Sequence, residues 1–167
     1  MATIEALRLD PQELTDGAAP ADARERPLVL VVDDEASIRL LCGVNLRLEG
    51  MDTIEAGNGE DALRLARERR PDLIVLDVMM PHVDGWQVAE ELAGDPETRG
   101  LSIVFLSARA DPADFLHGYQ LGAVGYVTKP FDPTALGAVV HEVLARIGRG
   151  ERDELRRELM DQLGVES

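Results

Sequence analysis

Five short apolar runs alternate along the chain with five segments whose apolar residues recur at helical spacing, and this alternation limits the fold more than any other feature. The runs are Leu28 to Val32, Thr53 to Ala56, Leu73 to Leu76, Leu101 to Leu106 and Val124 to Val127. Most are apolar without interruption, as strands covered on both faces of a parallel sheet are. Between them, Ile38, Leu41, Cys42, Asn45 and Leu48 are predicted to share one helical face that ends at Gly50. Ala62, Leu63 and Ala66 form a second such face after Asn58-Gly59, and Trp86, Ala89, Leu92 and Ala93 a third. Asp111-Pro112 opens a fourth helix carrying Phe115, Leu116 and Leu121, and Asp132-Pro133 opens a fifth carrying Leu136, Val139, Val140, Val143, Leu144 and Ile147. The reading is an α/β, flavodoxin-like (βα)5 doubly wound parallel sheet with strand order 2-1-3-4-5. About 120 residues in five units is too short for a six-stranded dinucleotide fold, and no Gly-x-Gly-x-x-Gly follows the first strand.

Chemistry-bearing residues stand at the ends of these runs. Asp33-Asp34 follow the first, Asp77 the third, Ser107 the fourth, and Thr128-Lys129-Pro130 the fifth. Ligands of open parallel sheets bind beyond the carboxyl ends of the strands, so the predicted order gathers these groups at one edge. Three carboxylates so placed repel one another unless a cation holds them. An all-oxygen set suits Mg2+, which keeps several waters and takes one or two carboxylates with a phosphate oxygen. Of the 17 basic residues only Lys129 is lysine, so a chain that otherwise uses arginine has kept a compact point charge at this one position. The set fits a phosphoryl group placed on Asp77, whose carboxylate can act as a nucleophile. Taken singly, Asp77 reads equally as a turn cap, Tyr126 as strand packing and Lys129 as a solvated loop residue. Their joint placement at the strand ends favours the site.

Charge and length exclude other classes. A formal net charge of -15 argues against a nucleic-acid surface, which needs clustered Lys and Arg. No window is apolar for the length of a membrane span, and the acidic N-terminus does not resemble a signal peptide, so the cytoplasm is expected. Cys42, the only cysteine, reads as a small core residue, and His82, His117 and His141 as surface residues without metal-ligand spacing.

Asp33-Asp34, Asp77 with Met80-Pro81 and Asp84-Gly85, Ser107-Ala108, and Tyr126 through Lys129-Pro130-Phe131 together resemble the receiver domain of two-component response regulators. The resemblance implies that Asp77 accepts phosphate from a sensor histidine kinase or a histidine phosphotransfer protein. It implies that Asp33, Asp34, Asp77 and the backbone carbonyl of Met79 hold Mg2+, and that Lys129, ahead of a cis bond to Pro130, contacts the phosphoryl oxygens. Ser107 and Tyr126 would move on phosphorylation and reshape the face made by the fourth helix, fifth strand and fifth helix. Met79 and Arg109 would tune the rate of dephosphorylation. An apolar Met cannot hold an attacking water and Arg cannot act as a base, so a long-lived phosphorylated state is expected. Ser107 stands where threonine is commoner, and Val124-Gly125 replaces a frequent acidic pair.

The chain is read as three parts: a flexible arm over 1–26 with a short helix opening at Asp10, a receiver over 27–148, and a tail over 149–167. In the tail, Leu155, Leu159 and Leu163 recur every fourth residue on a charged helix, which is expected to be ordered only against a surface. Docking on the fourth and fifth helices, or pairing in a phosphorylation-linked homodimer, would supply one. A stand-alone regulator acting on a downstream protein partner is expected, with only self-catalysed phosphoryl transfer and slow autodephosphorylation rather than turnover of a substrate. One alternative is a phosphorelay intermediate that passes phosphate to a histidine phosphotransfer protein. Another is a Mg2+-dependent phosphatase of haloacid dehalogenase type, but that family places a second Asp two positions after the nucleophile, where this chain has Met79.

Overall fold

The computed structural model describes residues 25–108, 111–162 and 164. Most of the expected arm, including the helix at Asp10, lies outside the described residues, as does Leu163. The strands are β1 (Leu28–Val32), β2 (Asp52–Ala56), β3 (Leu73–Asp77), β4 (Ser102–Ser107) and β5 (Ala123–Thr128). They pair in parallel in the order β2-β1-β3-β4-β5, the order the sequence predicts. The helices are α1 (Ala36–Leu48), α2 (Gly59–Arg69), α3 (Gly85–Gly94), α4 (Pro112–Gln120), α5 (Pro133–Gly148) and α6 (Arg152–Gln162).

The two side-chain faces of the sheet feed two separate cores. Leu30, Val32, Ile74, Leu76, Ile103 and Phe105 face α2 and α3, meeting Ala62, Ala66, Val88 and Leu92. Val29, Val31, Val75, Val104 and Leu106 face α1 and α5, meeting Cys42, Leu46, Leu136, Val140 and Val143. Apolar side chains on both faces explain why these strands read as unbroken hydrophobic runs. At the starts of the strands, Asp72 Oδ2 accepts from the backbone N–H of Leu28 at 2.7 Å and ties β3 to β1.

Helices α2 to α5 begin at side-chain caps. Asn58 accepts from Asp61 N, Asp84 and Gln87 form a capping box, and Asp111 and Asp132 cap α4 and α5 ahead of their prolines. Gly85 opens α3 against the end of β3, where its N–H reaches Val78 O at 3.0 Å. The expected inward face of α1 needs correction. Its buried residues are Cys42, Gly43 and Leu46, whereas Leu41 and Leu48 point to solvent with Leu40 and Val44. With apolar residues on most sides of this helix, periodicity alone does not identify the covered one. Beyond α5, α6 lies against β5, α5 and α4, with Leu155 and Leu159 buried.

The approach of Gly85 to β3 leaves no room for a side chain: a Cβ there would lie 2.2 Å from Asp77 O and 2.8 Å from Val78 Cα, both backbone atoms. Gly85→Ala should therefore lower stability by about 3 kcal/mol or more, read as the urea midpoint. A midpoint equal to that of the parent would show that α3 is free to move away from β3.

Candidate functional site

The order in which the strands are connected reverses between β1 and β3, since β1 leads to β2 on one side and β3 to β4 on the other. That is where an open parallel sheet forms a crevice. Asp33 follows β1 directly and Asp77 ends β3, each carried there by a buried strand. Carboxylate oxygens of Asp33, Asp34 and Asp77 lie within 4.8 Å of one another. Asp33 and Asp77 are buried, while Asp34 is open to solvent.

Each buried acid is held in place by backbone. Asp33 Oδ1 accepts from Glu35 N at 3.0 Å, and Asp77 Oδ1 from Met79 N at 3.1 Å. Lys129, brought in from the end of β5, donates to Asp33 Oδ2 at 2.9 Å and lies 3.3 Å from Asp77 Oδ2. Its N–H bonds to Ser107 O at 2.9 Å, so the ends of β4 and β5 fix its backbone, and the Lys129-Pro130 peptide is cis. Ser107 ends β4 one residue beyond Leu106, the partner of Asp77 across the ladder.

The electrostatics follow from this crowding. Burial first, then the charge of Asp33, push the Asp77 carboxyl up from 3.8 to about 6, against the downward pull of Lys129 and the Met79 N–H. Burial also works against the Lys129 ammonium, but its bond to Asp33 and the charge of Asp77 outweigh that and hold its pKa above the usual lysine value. One ammonium thus faces two buried carboxylates with a third at the rim. The excess negative charge, the all-oxygen donors and their mutual separation fit a small hard divalent cation such as Mg2+.

Of the remaining predicted residues, Met79 stands at the rim, 58% exposed, and Arg109 lies outside the described residues. Tyr126 is half-buried on β5; its hydroxyl donates to Phe115 O at 2.6 Å, and its ring meets Phe115 edge-on and stacks near Phe105. Phe105 in turn contacts Trp86, so an aromatic chain joins α3, β4, β5 and α4. Cys42 is a buried core residue whose thiol burial pushes up to about 12. His82 is exposed, whereas half-buried His117 and His141 lie beside Glu90 and Glu49.

Sequence reasoning missed Arg39. From α1 its guanidinium donates to Asp33 O at 2.7 Å and pairs with Glu55 of β2 at 3.5 Å, pinning the loop that carries the first two acids. The available signal was its place one turn into the helix, where side chains lean back toward the N-terminus.

The raised Asp77 pKa has a stability consequence. Because the folded chain keeps the proton longer than the unfolded chain, stability falls as pH rises from 3.8 through about 6 and stays reduced above that. Asp77→Asn removes the penalty, so without divalent metal it should stabilise the protein by about 1–3 kcal/mol at neutral pH. The gain should shrink to little below pH about 4. Thermal melts of both proteins across this range check it, and a gain independent of pH would contradict the electrostatic origin.

Comparison with known proteins agrees with this arrangement. Residues 29–141 match the family described as response regulator receiver domain. The chain is 44% identical over 118 residues to the alkaline phosphatase synthesis transcriptional regulatory protein PhoP of Bacillus subtilis, covering 71% of this chain and 48% of that protein. It is 40% identical over 125 residues to the probable transcriptional regulator ycf27 of Porphyridium aerugineum, covering 75% of this chain and 51% of that one. The chain therefore spans about half the length of these curated relatives. Among solved structures, the chemotaxis response regulator CheY4 of Vibrio cholerae superposes with a TM-score of 0.66 at 30% identity, over 71% of this chain and 98% of that one. A putative response regulator from Chloroflexus aurantiacus gives 0.66 at 32% identity, over 73% and 100%. With this match over most of the chain, and with the strand order and the acid cluster at the switch point, this protein belongs to the response regulator receiver domain family.

Proposed function

We propose that the chain accepts a phosphoryl group on Asp77 from a phospho-histidine donor, a sensor histidine kinase or a histidine phosphotransfer protein, and passes the change to a protein partner through the face of α4, β5 and α5. The observation that carries this reading is the buried Asp33–Asp77 pair, with Asp34 at the rim and the single lysine of the chain bonded between the buried acids. Asp33, Asp34, Asp77 and the Met79 carbonyl would hold Mg2+. When bound, that ion would neutralise charge on the acids and on the incoming phosphoryl oxygens.

The Asp77 carboxylate oxygen forms the new bond to phosphorus as the bond from phosphorus to the donor's ring nitrogen breaks, and the nitrogen keeps the electron pair. The Met79 N–H fixes the rotamer of Asp77, and Arg39 with Glu35 N fixes Asp33. Lys129 donates to a phosphoryl oxygen as a compact charge, and the Ser107 hydroxyl to another. Drawing Ser107 inward changes the end of β4, beside which Tyr126 is seated, and Tyr126 leaves its bond to Phe115.

Two features support protein partners. Leu40, Leu41, Val44 and Leu48 leave an exposed apolar stripe on α1, whose first turn follows the acid loop, and such a stripe suits a helical protein donor. A net charge of -15 suits a protein-directed output better than DNA phosphates. The curated relatives are titled transcriptional regulators, and about half the length of each is matched here.

Incubation with labelled acetyl phosphate tests the reading. Label should enter the parent only with Mg2+ and should be absent from Asp77→Asn, and stable Mg2+-dependent label in that variant would refute the assignment. Lys129→Arg should be phosphorylated yet lose at least about tenfold in partner affinity gained on phosphorylation, since a planar fork on a different stem cannot occupy the same point. A full response from that variant would show that Lys129 supplies only charge.

A further inference from the structure

The match to the family ends at residue 141, within α5, whereas α6 starts at Arg152. α6 is bound tightly to the receiver nonetheless. Leu155 and Leu159 are 2% and 4% exposed, and they enter different cores. Leu155 joins Val124 and Val143 on one side of the sheet, and Leu159 joins Phe105 and Ala123 on the other. The helix therefore straddles the outer edge of β5, a strand edge that would otherwise present unpaired backbone.

Its polar anchors are specific. Arg156 donates to Tyr119 O at 2.6 Å and to Ala123 O at 2.8 Å, and its guanidinium sits 4.1 Å from the centre of the Tyr119 ring. One side chain thus ties the last turn of α4 to the first residue of β5. Arg146 of α5 makes a two-pronged bond to Glu158 at 2.5 and 2.8 Å, and Arg152 donates to Ser102 Oγ at 3.2 Å. None of these groups touches the acid site, which lies at the opposite ends of the strands.

Tyr126 and Arg156 hold α4 at adjacent turns. The Tyr126 hydroxyl bonds to Phe115 O and Arg156 to Tyr119 O, four residues apart on the helix. Gly118 lies between them and closes the seat: a Cβ there would lie 2.0 Å from the Tyr126 hydroxyl. A shift of α4 that follows departure of Tyr126 would break the geometry in which Arg156 reaches both carbonyls.

We propose that α6 is a conformational strap whose docking, keyed by Arg156, favours the unphosphorylated receiver and is loosened when Asp77 is phosphorylated. The proposal rests on Asp77 being the phosphoacceptor. Linkage makes the coupling reciprocal: if occupancy of the site loosens α6, then loosening α6 must tighten binding at the site by the same factor.

Two measurements on the full chain test it, with Mg2+ and beryllofluoride as the phosphoryl mimic and bound fluoride followed by fluorine NMR. Amide exchange over residues 152–162 should accelerate by about fivefold or more on saturation. Arg156→Ala should bind beryllofluoride about fivefold more tightly than the parent, and Arg156→Lys, which keeps the charge but loses the two-carbonyl fork, should do the same. If beryllofluoride binds but α6 exchange is unchanged or slowed, or if both variants bind as the parent does, the strap is refuted and the phosphoacceptor reading stands. If the parent binds no beryllofluoride with Mg2+ present, the phosphoacceptor reading falls and the strap falls with it.

Discussion

Two buried carboxylates facing one ammonium is the constraint around which this molecule is arranged. Asp33 and Asp77 are held at the ends of strands covered on both faces, so neither can turn to water to disperse its charge. Lys129 neutralises part of the pair, and Asp34 adds a further charge at the rim. The fold supplies the rigidity that keeps this arrangement from relaxing. β1 and β3 are clamped at their start by Asp72, Gly85 packs against the backbone beyond Asp77, and Arg39 grips the loop after β1. An acid kept partly uncompensated in this way favours a divalent cation beside it.

The same strands link the site to the far face of the molecule. Ser107 ends β4 and Lys129 follows β5, and the same two strands carry Phe105 and Tyr126 into the aromatic contacts with Phe115. Close-packed aromatic contacts of this kind have few intermediate arrangements, so under the proposed function a small displacement at a strand end would be converted into a choice between seats for Tyr126. The seat occupied here is shaped by Gly118 and by the Phe115 carbonyl. α4 is thus held by β5 and by α6 together, which places the extra helix in the path between the site and the outer surface.

Much of this was legible in the sequence, for physical reasons that differ between elements. Strands apolar on both faces announce themselves, and Asp-Pro steps marked the starts of α4 and α5. The acid cluster was legible because its members stand at strand ends, and Lys129 because it is the only lysine in an arginine-rich chain. That same richness hid the anchors: among so many arginines nothing singled out Arg39, Arg146 or Arg156, whose importance comes from carbonyls and a carboxylate brought near only by folding. On α1 the apolar residues lie on too many sides, so the predicted face included Leu41 and Leu48, which are exposed. The leucine spacing of α6 showed an apolar stripe but not that it would bridge both cores across the edge of β5.

The electrostatic account is tested most directly by titrating the Asp77 side-chain carboxyl by carbon-detected NMR, with and without Mg2+. In the metal-free protein the carboxyl should titrate near 6, displaced from 3.8 by its burial and by Asp33. Saturating Mg2+ should move that titration back down by more than about one pH unit, because the cation favours the ionised form. A carboxyl that titrates at the ordinary aspartate value in metal-free protein, and is indifferent to Mg2+, would contradict the account.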